Sequence, residues 1–218
     1  MSDEAIVAGA FRFCGNSEQM MEEARSRAYQ WRNKRRLSYF LASQVVGVTN
    51  FAQTCQEAYD KISAVCGLSC SPAQSLAAAD IVIYTRKIDG PGGVLAEHEL
   101  PPGNDQQIRG WIDKGDSYTN TIPPGNKILF PAVFLHESLH GCGLPHTKTP
   151  NSLMNAYYDP EIYNITAWED EQLKSLYGNP IVGPTPTPDP VPTPVGQGVA
   201  VQYHAAVGYY IPVIAYPK

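Results

Sequence analysis

HESLHGCGLPH, residues 136–146, is the stretch on which the reading of this chain turns. His136 and His140 are four apart, so on a helix they share a face and can aim two imidazoles at one ion. Glu137 projects beside them, close enough to take a proton from water at that ion without being a ligand itself. Gly143 falls where the helix must end, and a glycine can take the positive φ that turns the chain sharply there. Pro145 stiffens the exit, and His146 can swing back as a third ligand. Three protein ligands leave a fourth position open, as a catalytic zinc requires. A bare HExxH arises often by chance; adding a glycine and a third histidine at fixed offsets cuts chance matches by roughly several hundred-fold.

Outward from this motif, Phe130 to Cys142 reads as one strong helix. A second covers Phe51, Cys55, Ala58, Tyr59, Ile62 and Val65, recurring at three- and four-residue spacing and stopped at Gly67. A third starts near Thr166, which forms a capping box with Glu169, and ends at Gly178. Residues 16–36 read as a charged helix with a modest apolar stripe. Strands are expected at Leu37–Ala42 and Ile81–Tyr84, with Ile81–Tyr84 buried. Lys87–Asn126, rich in Gly, Pro, Asp and Asn, should be ordered loop with one short strand at Val94–Ala96. The run GPTPTPDPVPTP (183–194) is an extended linker with no core of its own. The Tyr- and Val-rich segment after it is β-prone but too short to fold alone.

Composition sets the class. With 43% hydrophobic and 17% charged residues the chain is an ordinary globular one. A net charge of -5 gives no reason to expect nucleic acid, and the basic run Arg32–Arg36 is short and interrupted. No stretch approaches the roughly 18 apolar residues of a membrane span. The N-terminus MSDEAIVAGAF has acidic residues where a signal peptide would carry basic ones, so no secretory signal is read there. Five cysteines (14, 55, 66, 70 and 142) are too few, and odd in number, for a disulfide scaffold. One bridge among Cys55, Cys66 and Cys70 and fully reduced thiols are equally allowed. Asp89, Asp113 and Asp116 offer hard oxygens, with carbonyls at Gly90, Gly92 and Val94; they are either calcium ligands or turn formers without an ion.

The zinc motif, followed by SLMN (152–155), resembles the signature of the metzincin peptidases, in which a methionine turn floors the metal. Leu37–Gly178 resembles the catalytic domain of one metzincin family, the matrixins. Thr147 stands where many matrixins have serine, and astacins or adamalysins would show an acidic residue. Tyr158 falls four residues past Met154, where the family places a tyrosine lining the first primed-side pocket. ITAWEDEQLKSLYG (165–178) is similar to the family's closing helix. ADIVI (79–83) resembles its central strand, DGPGGVLA (89–96) its ion-wrapping loop and edge strand, and WIDKGD (111–116) its HFDxxE segment.

The resemblance implies an α+β, metzincin-type zinc peptidase domain: a twisted, mostly parallel sheet with two long helices and a C-terminal helix. A Pro-rich linker and short β-prone tail follow it. With that resemblance over the middle of the chain, composition divides the whole into an N-terminal extension over 1–36, partly helical, a catalytic domain over 37–179, a linker over 180–195 and a tail over 196–218 expected to dock on a partner. The implied activity is zinc metalloendopeptidase. One catalytic zinc would sit on His136, His140 and His146 above Met154, with Glu137 as general base and acid. Val94, Leu95, Ala96 and Tyr158 would bind the protein or peptide substrate. It also implies structural calcium at Asp89, Gly90, Gly92, Val94, Asp113 and Asp116. The family's second, structural zinc is expected to be absent, because Trp111 takes one of its histidine positions and Glu97, or His98 with a one-residue shift, another; His98 reads as an exposed loop residue. RFCG (12–15) resembles the family's inhibitory cysteine segment without its PRCGxPD context, and Cys14 reads as an ordinary thiol. Family members point to an extracellular or particle-associated protein, while the chain itself leaves the compartment open. The alternative function is an assembly or binding component that keeps a metzincin fold and docks through its tail, residues 183–218.

Overall fold

The computed structural model describes the backbone of residues 12–15, 29–122, 124, 126–180, 201–204 and 209–212. The linker and residues 16–28 of the expected N-terminal helix lie outside the described residues. Two units are distinguished, residues 1–181 and residues 182–218.

In the first unit the strands are β1 (Arg12–Cys14), β2 (Arg36–Leu41), β3 (Ser69–Pro72), β4 (Ile81–Arg86), β5 (Val94–His98) and β6 (Ile108–Asp113). They form one sheet in the order β1-β5-β6-β4-β2-β3. Every pairing is parallel except β5 with β6, where Ala96 faces Ile112 and His98 faces Gly110. Three helices complete it: α1 (Phe51–Val65), α2 (Phe130–Gly141) and α3 (Ala167–Tyr177). A two-stranded element pairs β7 (Tyr118–Thr119) with β8 (Ile128–Leu129) just before α2. This is the α+β arrangement, mostly parallel, that the resemblance implies.

The apolar stripe of α1 is buried at Phe51, Cys55, Ala58, Tyr59 and Ile62. Helix α2 is different. Every residue except Pro131 is buried, so it has no solvent face. Pro131 sits in the first turn, where a missing N–H costs nothing. The two helices and the sheet meet through a run of rings: Tyr39 stacks on Tyr59 at 4.6 Å, Tyr59 meets Phe134 edge-on at 5.7 Å, and Phe130 meets Tyr118 edge-on at 5.8 Å. Each such pair adds about 0.5–1.5 kcal/mol beyond area burial.

Two expectations are corrected. Residues 29–35 are not helical: Trp31 is fully buried and its indole N–H donates to the Gly141 carbonyl at 2.9 Å. The Trp31 amide reaches the Tyr177 hydroxyl, which donates to the Cys142 carbonyl at 2.7 Å, so the segment is strapped across the end of α2. Those tertiary contacts outweigh the helix propensity of the basic residues, which are used sideways: Lys34 pairs with Asp80 and Arg35 lies over the Tyr177 ring. Next, Lys87–Asn126 is mostly loop as expected, but besides β5 it carries the central strand β6 and the short β7, which the sequence reading leaves as loop. Of the two cysteine states left open, the reduced one is found: Cys55, Cys66, Cys70 and Cys142 are all free thiols, buried among apolar side chains.

In the second unit β9 (Val201–His204) pairs antiparallel with β10 (Tyr209–Pro212), Tyr210 opposite Tyr203. Among the described residues no helix is long and apolar enough to cross a membrane.

Candidate metal centre

Helix α2 carries His136 and His140 on one face and delivers both, fully buried, to the same point. The helix then stops. Gly143 has φ of 94°, and a Cβ there would lie 1.9 Å from the Tyr29 carbonyl oxygen, so conformation and space both demand glycine. The turn brings His146, 6% exposed, back over the other two rings. Its Nε2 lies 3.3 Å from Nε2 of His136 and 3.2 Å from Nε2 of His140.

Those separations are informative. Two nitrogens each about 2.0–2.1 Å from one zinc at a tetrahedral angle lie about 3.3–3.4 Å apart. The tautomers agree. His136 Nδ1 is 2.7 Å from the Leu153 carbonyl and His140 Nδ1 is 2.7 Å from the Leu144 carbonyl. A carbonyl only accepts, so both Nδ1 atoms donate and both Nε2 atoms face inward as lone pairs. Three inward nitrogens within 4.8 Å of one another are held together favourably by a cation. Burial, and then the neighbouring rings, hold the pKa of His136 and His140 well below the usual histidine range, keeping them neutral and ready to ligate. The donor set therefore fits zinc.

Glu137 is 1% exposed, next to His136 on α2. Met154 is fully buried, and its carbonyl accepts the Thr147 amide at 2.9 Å, tying the Met154 turn to the His146 loop. Tyr158 is half-buried, and its hydroxyl accepts the Leu129 amide at 2.8 Å, fastening the loop after Met154 to the start of α2. Val94, Leu95 and Ala96 form the first part of β5. The buried Tyr118 hydroxyl donates to the Leu95 carbonyl at 2.8 Å, and the Ala96 carbonyl accepts the Gly15 amide at 2.9 Å on the side where β1 lies. Cys142 is buried in the core, burial pushing its thiol pKa up.

The amides of Gly90, Gly92 and Val94 donate to the carboxylates of the acidic loop. Asp113 accepts the Asp89, Gly90 and Gly115 amides, Asp116 accepts Gly92, and Asp89 accepts Val94. Burial alone would raise the Asp113 pKa; those amides bring it below the usual range. Burial, and then Asp113 and Asp89, raise Asp116, whose Oδ2 is buried without a hydrogen-bond partner among the described residues.

His98 is not an exposed loop residue. It is 1% exposed, with its ring between β6 and the end of α2: a Cβ on Gly110 would come within 2.5 Å of it, and one on Gly141 within 2.8 Å. Glu97, the alternative occupant of that histidine position, is on β5 opposite Trp111, ion-paired with Arg86, whose guanidinium lies 4.7 Å over the Trp111 ring. Burial pulls the His98 pKa from 6.5 to about 4. The unfolded chain therefore takes up that proton first, and stability is lost as pH falls through the window from 6.5 to 4, by about 3 kcal/mol. Denaturant titrations of the metal-free protein across this window should show the loss, and His98→Gln should flatten the slope; an unchanged slope would remove His98 as its cause.

Sequence reasoning missed the groups that hold the ligands: the Leu144 and Leu153 carbonyls, Ser152, Tyr118, Trp31, and Glu169 beyond its capping role. Only Trp31 left a trace, as a lone large apolar residue in a basic run.

Comparison with known proteins places the site in context. The family model described as Matrixin matches residues 30–178. Macrophage metalloelastase of Rattus norvegicus is 33% identical over 100 residues, covering 44% of this chain and 21% of that protein. Matrix metalloproteinase-25 of Mus musculus is 36% identical over 108 residues, 44% of this chain and 17% of that protein. Probable matrix metalloproteinase 095L of Invertebrate iridescent virus 3 is 39% identical over 95 residues, 41% and 25% respectively. The chain thus spans 17–25% of the length of these relatives.

Proposed function

Because the chain belongs to the matrixin family of zinc metallopeptidases, we propose that its residues 37–179 form a zinc metalloendopeptidase. The observation that carries this reading is the convergence of the Nε2 atoms of His136 and His140 on that of His146, at 3.3 and 3.2 Å. Those three residues hold one zinc, with Met154 beneath. When bound, zinc supplies Lewis-acid chemistry, acidifying water and polarising the scissile carbonyl. Glu137 takes the proton of the attacking water and passes it to the departing amine nitrogen. Burial keeps His136 and His140 neutral throughout.

Substrate lies along the outer edge of β5, antiparallel to Val94–Ala96, held by backbone hydrogen bonds that give affinity with little sequence choice. Tyr158, half-buried beside Asn155, contributes to the primed-side pocket. Strand β1 lies on that same edge, parallel to β5 and therefore opposite in direction to the substrate. Peptide binding requires β1 to leave.

Calcium is the ion proposed for Asp89, Asp113 and Asp116, on the strength of the buried Asp116 Oδ2 beside two other carboxylates. One zinc per chain is proposed; the Arg86–Glu97 pair over Trp111 stands where the family's structural zinc would need ligands. The tail, 196–218, is proposed to dock on a protein partner through the hairpin β9–β10, since a lone two-stranded hairpin is at best marginally stable in water. The deciding experiment is cleavage of a peptide library by zinc-loaded protein with and without a chelator. Cleavage abolished by the chelator and restored by zinc supports the reading; no cleavage, or cleavage indifferent to the chelator, ends it.

A further inference from the structure

Resting on the zinc reading above, we infer that Glu169 is a positioning residue for the ligand His136, acting through the single peptide unit between Leu153 and Met154. That peptide has two ends. Its carbonyl, on Leu153, accepts the His136 Nδ1–H at 2.7 Å. Its N–H, on Met154, donates to Glu169 Oε1 at 3.2 Å and to Ser152 Oγ at 3.0 Å. The Ser152 hydroxyl in turn donates to the same Oε1, so both routes from the amide end on one carboxylate oxygen. The other oxygen, Oε2, accepts the Thr166 amide at 2.8 Å and the Thr166 hydroxyl at the start of α3.

A peptide unit is planar and conjugated, so its two hydrogen bonds are not independent. A carboxylate at the N–H end polarises the unit and makes the carbonyl a better acceptor. The His136 Nδ1–H bond strengthens, the ring is fixed in the Nδ1–H tautomer, and Nε2 becomes a more basic donor toward the metal. Glu169 is fully buried, and the described contacts spend its two oxygens on the Met154 turn and the α3 cap. It makes the turn a rigid floor anchored in a helix, set by one side chain.

His140 has no such device. Its acceptor, the Leu144 carbonyl, belongs to a peptide whose nitrogen is that of Pro145, which carries no hydrogen to pass on. The coupling thus distinguishes His136 from His140, and this asymmetry makes it testable.

Glu169→Gln keeps the shape but puts an amide NH2 against either the Met154 or the Thr166 donors. Three measurements on the full chain read the result: zinc affinity by competition with a chelator, 15N shifts of the histidine rings in metal-free protein, and thermal stability. The expected result is zinc binding weakened about 10–100-fold, a His136 ring shifted from the Nδ1–H tautomer toward a mixture, and an unchanged His140 ring. Thr166→Val is expected to lower thermal stability and leave zinc affinity and the His136 ring unchanged, because it loosens only the cap. Should Glu169→Gln fail to fold, Ser152→Ala carries the test, with the same His136 shift expected. Zinc affinity within about twofold of wild type and an unmoved His136 ring in the folded variant would overturn the relay, as would equal shifts at His136 and His140. The ring measurement needs no metal, so a wild-type chain that binds no zinc would refute the zinc reading while the relay is still decided.

Discussion

Zinc-loaded Glu137→Ala protein is expected to keep its metal and its fold and to lose roughly 10²–10⁴ in turnover, the usual size of a general acid–base contribution. Glu137 is buried beside the ligand His136 but is not itself among the three converging nitrogens, so its removal leaves the donor set whole. The loss should fall on kcat, because in the proposed reaction the carboxylate acts on the water and the leaving nitrogen and not on the strand proposed to bind peptide. Parallel measurements of bound zinc, thermal stability and peptide cleavage check this. Wild-type cleavage by a variant with full zinc would show that another group moves the proton.

His140→Ala should act on the other half of the machinery. His140 is fully buried, its Nδ1 is tied to Leu144, and its Nε2 closes the triangle with His146. A structural zinc site is worth roughly 10–16 kcal/mol in apparent binding free energy, so an equal share for one imidazole of three is about 3–5 kcal/mol, or about two to four orders of magnitude in affinity. The variant should emerge from gel filtration without stoichiometric zinc and without activity. Removing a buried ring also leaves a cavity, so the thermal midpoint must be followed alongside; metal analysis showing one zinc per chain in a folded variant would contradict the ligand set. The two substitutions together separate chemistry from ligation, since the first should spare zinc and the second should not.

The residues that were legible from sequence act locally. His136, Glu137, His140, Gly143 and His146 lie within eleven consecutive positions, and helical spacing plus a glycine turn is enough to bring them together. Helix α1 was legible for a similar reason, its apolar stripe having the helical period. What escaped notice depends on distant partners. Strand β6 contains Gly110 and Asp113, residue types depleted in strands; Gly110 is required there because a side chain would strike the His98 ring. His98 looked solvent-exposed because its room is made by Gly110 and by Gly141, twelve and forty-three positions away. Residues 29–35 read as helix because nothing local reveals that Trp31 is taken by the end of α2. Glu169 was legible as half of a capping box, a four-residue pattern, but its bond to Met154 spans fifteen residues and leaves no periodic trace.

With substrate on the β5 edge, as proposed, strand β1 has a kinetic consequence. Because β1 and β5 belong to one polypeptide, competition between β1 and an incoming peptide is unimolecular on one side and bimolecular on the other. The local concentration of β1 is set by its tether and does not change when the protein is diluted, whereas added peptide gains ground in proportion to its own concentration. Occupancy of the edge is therefore a property of each molecule by itself, and specific activity should not vary with enzyme concentration.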